Sequence, residues 1–329
     1  MTLSNGMKNN FNLMRLIFAV AVVFSHSFGM VGQAEPNTWG LSFGGAAVHG
    51  FFIVSGYLIT GSFLRSPSVG TFTAHRALRV LPGLVVVLLV MQLAWLACDR
   101  FPLILHNGPL WTLSWEGVCY AAVAFFGALR LLDKRSVPIL FATAWIVYLS
   151  NASSSNEAVS IVVPMLMLFL GGGFIAVMED QISVPKLAAL SAPVLAVLFI
   201  PGLFQPIADG LRSLGFAHGT PLSNWQIHEI PYLLTLPFVV VFAGRYGPVI
   251  KDFKTDISYG VYIYGWPTAV VLGYVSYKHF TPITNPLLHF AIVIPLVLVL
   301  AFASWFGIER PALSLKRRID KRASVSARA

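Results

Sequence analysis

Residues 9–30 read NNFNLMRLIFAVAVVFSHSFGM, an apolar run interrupted by a guanidinium at Arg15 and an imidazole at His26. A helix needs ~17–25 residues to cross a bilayer, so this stretch predicts a transmembrane helix over about 11–31. A cation and a titratable ring are expensive in hydrocarbon, and each needs a partner, a water-filled cavity or a chemical role. Eleven residues close to about three helical turns, which puts Arg15 and His26 on about the same face, roughly 16 Å apart along the axis. One helix thus carries a cation near one membrane surface and a candidate base beyond the midplane.

The same texture continues through the chain. Of 329 residues, 57% are hydrophobic and 11% charged, against about 25% charged in ordinary soluble domains. Mean hydropathy is +0.76. Nine further apolar runs follow, at about 44–64, 76–98, 111–132, 137–151, 158–178, 184–204, 231–247, 256–277 and 286–308, the fifth and eighth of the ten being short. They predict an all-α polytopic membrane protein of about ten transmembrane helices in one bundle, filling 1–310, with a basic cytoplasmic tail at 311–329.

The basic residues orient it. With a cytoplasmic amino terminus, nineteen of the 22 Lys and Arg fall on inner segments, and only Arg100, Arg212 and Lys278 on outer loops. That asymmetry follows the positive-inside rule and places both termini in the cytoplasm. The net charge of +9 is then accounted for by an anionic inner leaflet, without nucleic acid. No cleavable leader is expected, since the small-residue triplet Ala19–Ala21 lies in mid-run. Cys98 and Cys119 are expected at different depths and hence unpaired, and the spacing of candidate ligands suggests no metal.

Four further segments carry chemistry-bearing side chains. HGFFIVSGYLIT (His49–Thr60) sets small residues, among them Ser55 and Gly56, beside aromatic ones, a texture that lets helix backbones approach closely. HRALRVLPG places Arg76 and Arg79 three apart, neighbours on one helical face. They suit topology anchoring or, through the planar guanidinium fork, phosphate binding. LWTLSWEGVCYAA begins with Trp111 and holds Glu116 and Tyr120. Counted from the helix ends, Glu116 and His26 fall at similar depth in the outer half of the membrane. They are therefore expected to pair, either as a base with its orienting carboxylate or as a structural lock. The outer loop Gln205–Ile230 is the longest polar stretch facing out and a candidate for acceptor recognition.

Taken in order, these pieces resemble the acyltransferase family 3 membrane proteins. The resemblance rests on Arg15-x10-His26, FFIVSGYLIT, Arg76 and Arg79 before Pro82, and WTLSWEGVCY, with DISYGVYIYGWP (Asp256–Pro267) and GIERPAL (Gly307–Leu313) near the end. Two positions depart from it: Gly265 stands where members often carry His before Trp-Pro, and Asn12 where an acid often precedes the first-span Arg. No extracytoplasmic domain of the kind fused to some members is expected after the tenth span, so a soluble partner outside the membrane is expected to be a separate protein.

The resemblance implies transfer of an acyl group, commonly acetyl, from cytoplasmic acyl-CoA to a hydroxyl of an envelope or exported glycan, free or lipid-linked. In that frame His26 is the general base, oriented by Glu116, and Arg15, Arg76 and Arg79 hold the donor's phosphates. Ser55, Trp111 and Tyr120 contact substrate, no cofactor is permanently bound, and the location is a bacterial cytoplasmic membrane. Ser25, Ser27, Trp115 and Tyr120 are open alternatives for stabilising the oxyanion. A membrane transporter of small metabolites or glycans is the competing reading, since intramembrane Arg, His and Glu serve transport equally well.

Overall fold

The computed structural model describes residues 9–66, 68–97, 108–150, 157–200, 202–211, 224–250 and 255–316. The first run folds as α1 (Phe11–Met30), followed by a small hairpin of β1 (Asn37–Thr38) and β2 (Leu41–Ser42). Then come α2 (Phe43–Arg65), α3 (Val69–Ala97), α4 (Leu110–Ala128), α5 (Ser136–Ser150), α6 (Glu157–Met178) and α7 (Val184–Phe199). The last third holds α8 (Phe204–Leu211), α9 (Asn224–Arg245), α10 (Ser258–His279) and α11 (Pro286–Ser304). A five-residue π-helical turn, Trp305–Glu309, joins α11 to α12 (Arg310–Ser314).

Each of the ten apolar runs is helical. Five helices meet the length and hydropathy of a membrane span: Phe11–Met30, Phe43–Arg65, Val69–Ala94, Ile161–Met178 and Pro286–Ser314. The protein is therefore an all-α, multi-pass membrane protein. Helix α9 starts at Asn224, earlier than hydropathy alone predicts, because its first turns (NWQIHEI) are polar although helical. The short α8 and the start of α9 occupy part of the outer loop; residues 212–223, like Cys98 and the tail beyond Lys316, lie outside the described residues.

Helix α2 is the central post: 67% of its apolar window is buried, against 17% for the peripheral α3. Its glycines explain the position. A Cβ on Gly56 would sit 2.0 Å from the Phe169 carbonyl oxygen, and one on Gly172 would sit 2.2 Å from that of Ile53. The two backbones of α2 and α6 are thus in direct contact, as small residues permit where lipid supplies no hydrophobic drive. Three apolar clusters surround this seam. One joins α2 to α5, α6, α7 and α9, another packs α1 with α10 and α11, and a third sets α4 against α2 and α6. In the second cluster a Cβ on Gly265 would meet Val23 at 2.5 Å. At that position close packing of α10 on α1 leaves no room for an imidazole.

The hairpin turns on Trp39 and Gly40, both with positive φ (44° and 90°). That turn needs left-handed residues at both centres and ordinarily uses Asn or Gly at the first. The Trp39 ring is held in return: it stacks on His228 at 5.5 Å and meets Tyr232 and Phe199 edge-on or tilted at 5.2 and 5.6 Å. The strained backbone is thereby over-determined by packing, and the segment Val31–Ser42 is fixed over the end of the bundle where α1 finishes and α2 begins.

Replacing Gly56 by Ala should force α2 from α6 and lower stability by about 1–3 kcal/mol, the usual range for overpacking. The midpoint of thermal unfolding in detergent, compared with Gly70→Ala, checks this, because a Cβ on Gly70 meets nothing within 4 Å.

Candidate functional site

His26 and Arg15 open onto different chambers. Around His26 lies a cavity of about 700 Å³, whose walls include Glu35, His49, Trp111, Tyr262 and Trp266. Beyond it the space narrows to about 40 Å³ between Val48, Phe51, Thr112, Tyr259 and Tyr262, where Arg15, Ser55 and Glu116 also reach the lining. On the other side is a chamber of about 260 Å³ lined by Arg15, Ser55, Arg76, Arg79, Glu116, Tyr120 and Asp256. Neighbouring cavities share wall residues: Val48, Thr112 and Tyr262 on one side of the waist, Arg15, Ser55 and Glu116 on the other.

In the outer chamber the imidazole has a carboxylate partner, but it is Glu35. His26 Nδ1 lies 2.9 Å from Glu35 Oε1, and Ser25 Oγ donates to Glu35 Oε2 at 2.5 Å. The backbone N–H of Gly44 donates in turn to Ser25 Oγ at 2.9 Å, tying the start of α2 to this pair. The hydrogen bond with His26 is the main reason the Glu35 carboxyl is held below the usual carboxylate range; partial burial opposes it and Ser25 adds to it. An ionised Glu35 accepts from a protonated Nδ1, which selects the tautomer whose Nε2 keeps its lone pair. Trp266 packs edge-on against the His26 ring at 5.1 Å.

The expected pairing of His26 with Glu116 is thus corrected. Ser55 Oγ donates to Glu116 Oε1 at 2.8 Å and Tyr120 OH donates to the same oxygen at 2.5 Å. The error lies in depth. Helix α4 does not start at the outer surface: Pro109 O accepts from Tyr262 OH at 3.1 Å, Thr112 Oγ1 lies 2.6 Å from that hydroxyl, and Gly108 abuts Trp266. Its start is level with the second and third turns of α10, so Glu116 lies one turn deeper than Thr112, at the level of Arg15. The predicted substrate residues divide accordingly, with Trp111 in the outer chamber and Ser55 and Tyr120 in the inner one.

The inner chamber is built on a carboxylate that sequence reasoning left unassigned. Asp256 Oδ2 accepts from Arg15 Nη1 and from Arg79 Nη2, both at 2.5 Å. Arg79 also faces Glu309, buried to 1% exposure, at 3.5 Å, and stands over the rings of Tyr259 and Trp305. Arg76 differs: its guanidinium lies over Phe72 at 5.7 Å and, among the described residues, its buried Nε has no hydrogen-bond partner. The three predicted arginines therefore meet at one chamber, two of them ion-paired. Among the proposed oxyanion donors, Ser25, Ser27 and Tyr120 all direct their hydroxyls to other acceptors (Glu35, Val23 O and Glu116).

The site thus has a histidine–carboxylate pair in one chamber, a basic cluster in another, and between them a small cavity that shares wall residues with both. The profile of the acyltransferase domain matches residues 8–306, and the chain belongs to the acyltransferase family 3. It is similar to the O-acetyl transferase of Shigella phage Sf6, 26% identical over 345 residues that cover 93% of this chain and 96% of that protein. It is also similar to nodulation protein 10 of Rhizobium leguminosarum bv. viciae, 26% identical over 373 residues, covering 98% of each. No solved structure matches the chain. The protein is a membrane acyltransferase, which favours the enzyme over the transport alternative.

Removing Asp256 leaves two buried guanidiniums without their shared partner, a change that ordinarily costs about 3–5 kcal/mol. Asp256→Ala should accordingly unfold well below the wild type, and Asp256→Glu should recover part of the loss. Thermal unfolding in detergent reads both.

Proposed function

We propose that this protein moves an acyl group, acetyl in the first instance, from cytoplasmic acyl-CoA to a hydroxyl of an extracytoplasmic or lipid-linked glycan. It does so as a ten-span protein of a bacterial cytoplasmic membrane with both termini inside. The observation that carries this reading is the small cavity between the two chambers, which shares wall residues with both. That cavity is only about 40 Å³ and lies among Val48, Phe51, Thr112, Tyr259 and Tyr262, so a slender unbranched chain is the kind of group that suits it. Arg15 and His26 stand roughly 16 Å apart along α1, within reach of the slender pantetheine arm. The phage relative is an O-acetyl transferase, which supports acetyl as the group moved.

In this mechanism Arg76, with Arg15 and Arg79 behind it, holds the donor's phosphates at the inner chamber. Glu116, fixed by Ser55 and Tyr120, lines the entry and orients these cations. The thioester reaches the outer chamber, where a sugar enters against Trp111 and Trp266. His26 Nε2 removes the proton from the acceptor hydroxyl. Its oxygen attacks the thioester carbonyl, the new C–O ester bond forms, the C–S bond breaks, and the leaving thiolate takes the proton from His26. Glu35 is the positioning residue: it fixes the tautomer and stabilises the imidazolium that forms transiently. A separate extracytoplasmic protein acting on the product is compatible with the open outer chamber.

Three measurements test this. His26→Ala should lower turnover of acetyl-CoA with acceptor about 10²–10⁴-fold, the usual worth of a general base. Glu35→Gln should lower it less, and the double variant should lose little more than His26→Ala, because residues acting as a unit are non-additive. Near wild-type turnover by well-folded His26→Ala would overturn the assignment. The depressed Glu35 carboxyl adds a pH test: the contact persists above the ordinary carboxylate range and is lost as pH falls through its lowered pKa. Turnover of Glu35→Gln should therefore lack that acidic step. For topology, cysteine labels at Asn224 and Ala329 should report opposite sides of the membrane; the same side for both would exclude ten spans.

A further inference from the structure

We propose that the groove between α3 and α4 binds one anionic phospholipid of the inner leaflet, its phosphate on Arg76 and one acyl chain along the groove. The groove is a lateral opening of about 760 Å³, lined on α3 by Ala77, Leu81, Leu84 and Leu88 and on α4 by Leu113 and Ala121. It shares Arg76, Glu116 and Tyr120 with the inner chamber. The chamber that would receive the donor therefore has a side door into the bilayer as well as its cytoplasmic mouth.

Charge and length identify the occupant. Arg15 and Arg79 have their carboxylates, whereas the buried Nε of Arg76 has no hydrogen-bond partner among the described residues. A guanidinium at an apolar wall is best satisfied by a phosphate oxygen, which it can grip with its planar fork. From Arg76 to Leu88 the groove follows twelve residues of α3, about 18 Å. One leaflet of hydrocarbon is about 15 Å thick, so a chain whose phosphate sits at Arg76 would end near the midplane. The floor has room for it: a Cβ on Gly117 would meet nothing within 4 Å. A net negative headgroup also suits a rim that includes Lys316 at the shared chamber, where a zwitterionic one gains less.

This assignment rests on the proposed orientation, with Arg76 at the cytoplasmic side, and it has a consequence for the reaction. Lipid phosphate and donor phosphate would share one guanidinium, so an anionic lipid would compete with acyl-CoA from the side.

Native mass spectrometry of the purified protein, delipidated and then titrated with phosphatidylglycerol or phosphatidylcholine, tests the site directly. One phosphatidylglycerol should be retained in preference to phosphatidylcholine. Arg76→Gln should weaken that retention about tenfold, the scale of one charge-assisted contact. Gly117→Leu, which fills the groove while leaving Arg76 in place, should abolish it, and it carries the test if Arg76→Gln does not fold. Equal retention of both lipids, or undiminished phosphatidylglycerol on Gly117→Leu, would overturn the proposal. A second arm measures acetyl-CoA affinity in nanodiscs as phosphatidylglycerol replaces phosphatidylcholine; affinity should fall in the wild type and stay level in Gly117→Leu. A wild type that binds no acetyl-CoA in either lipid would count against the donor assignment alone, since lipid retention is read without it.

Discussion

One carboxylate oxygen holds the arginine-lined end of this bundle together. Asp256 Oδ2 receives a guanidinium from α1 and another from α3 while its own backbone leads into α10. Ser258 secures the second oxygen, its backbone N–H donating to Oδ1 at 3.3 Å, and Glu309 approaches Arg79 from the far side. Desolvating such a set offsets much of its attraction, so the cluster is better understood as fixing which helices meet, and in which register, than as a store of stability. Sliding α10 by one residue would carry Asp256 away from both arginines at once. Helix α1 is therefore held in depth at Arg15, and His26, eleven residues further along the same rigid rod, inherits its position.

The outer pair is secured by a different device. Glu35 sits on a loop, where a carboxylate would ordinarily wander. Its loop is closed by the hairpin, and the hairpin is pinned by Trp39 among rings from α7 and α9. Ser25 closes the circuit from the helix side, donating to Glu35 and accepting from Gly44. In the proposed mechanism, recognition of a large anionic donor and proton transfer at its far end impose opposite demands: one needs dense positive charge, the other an imidazole free to lose its proton. Separating the two by a constriction lets each keep its own electrostatic environment.

Much of this was legible in the sequence. Ten apolar runs became ten helices because hydropathy is dominated by the surface each helix presents to lipid and to its neighbours. The gathering of Arg15, Arg76 and Arg79 followed from two helices, α1 and α3, that bring their basic ends to one side. What stayed hidden was pairing across the bundle. Asp256 was visible as part of a motif, but nothing in a linear pattern says that its partners lie 241 and 177 positions away. Glu35 was passed over because it lies outside any apolar run, although an acid nine residues after a membrane histidine, in a segment short enough to fold back, was the available signal. Glu116 was misplaced for a geometric reason: counting residues from a helix end gives depth only when that end lies at the surface, and α4 begins inside the bundle.

The π-helical turn at Trp305–Glu309 has its own consequence. Such a turn is a single extra residue accommodated in an otherwise regular helix, frequently where function requires it. Each residue of an α-helix advances the face by about 100° (3.6 per turn). Deleting one position between Trp305 and Gly307 would let the helix run on regularly and swing Glu309 by about that angle, out of the buried corner where it meets Arg79 and Ser304. The last helix thus works as a misaligned screw, seated at one angle along α11 and at another beyond it. Only with that offset can the same rod pack its apolar face against α10 and still deliver an acid to the arginines.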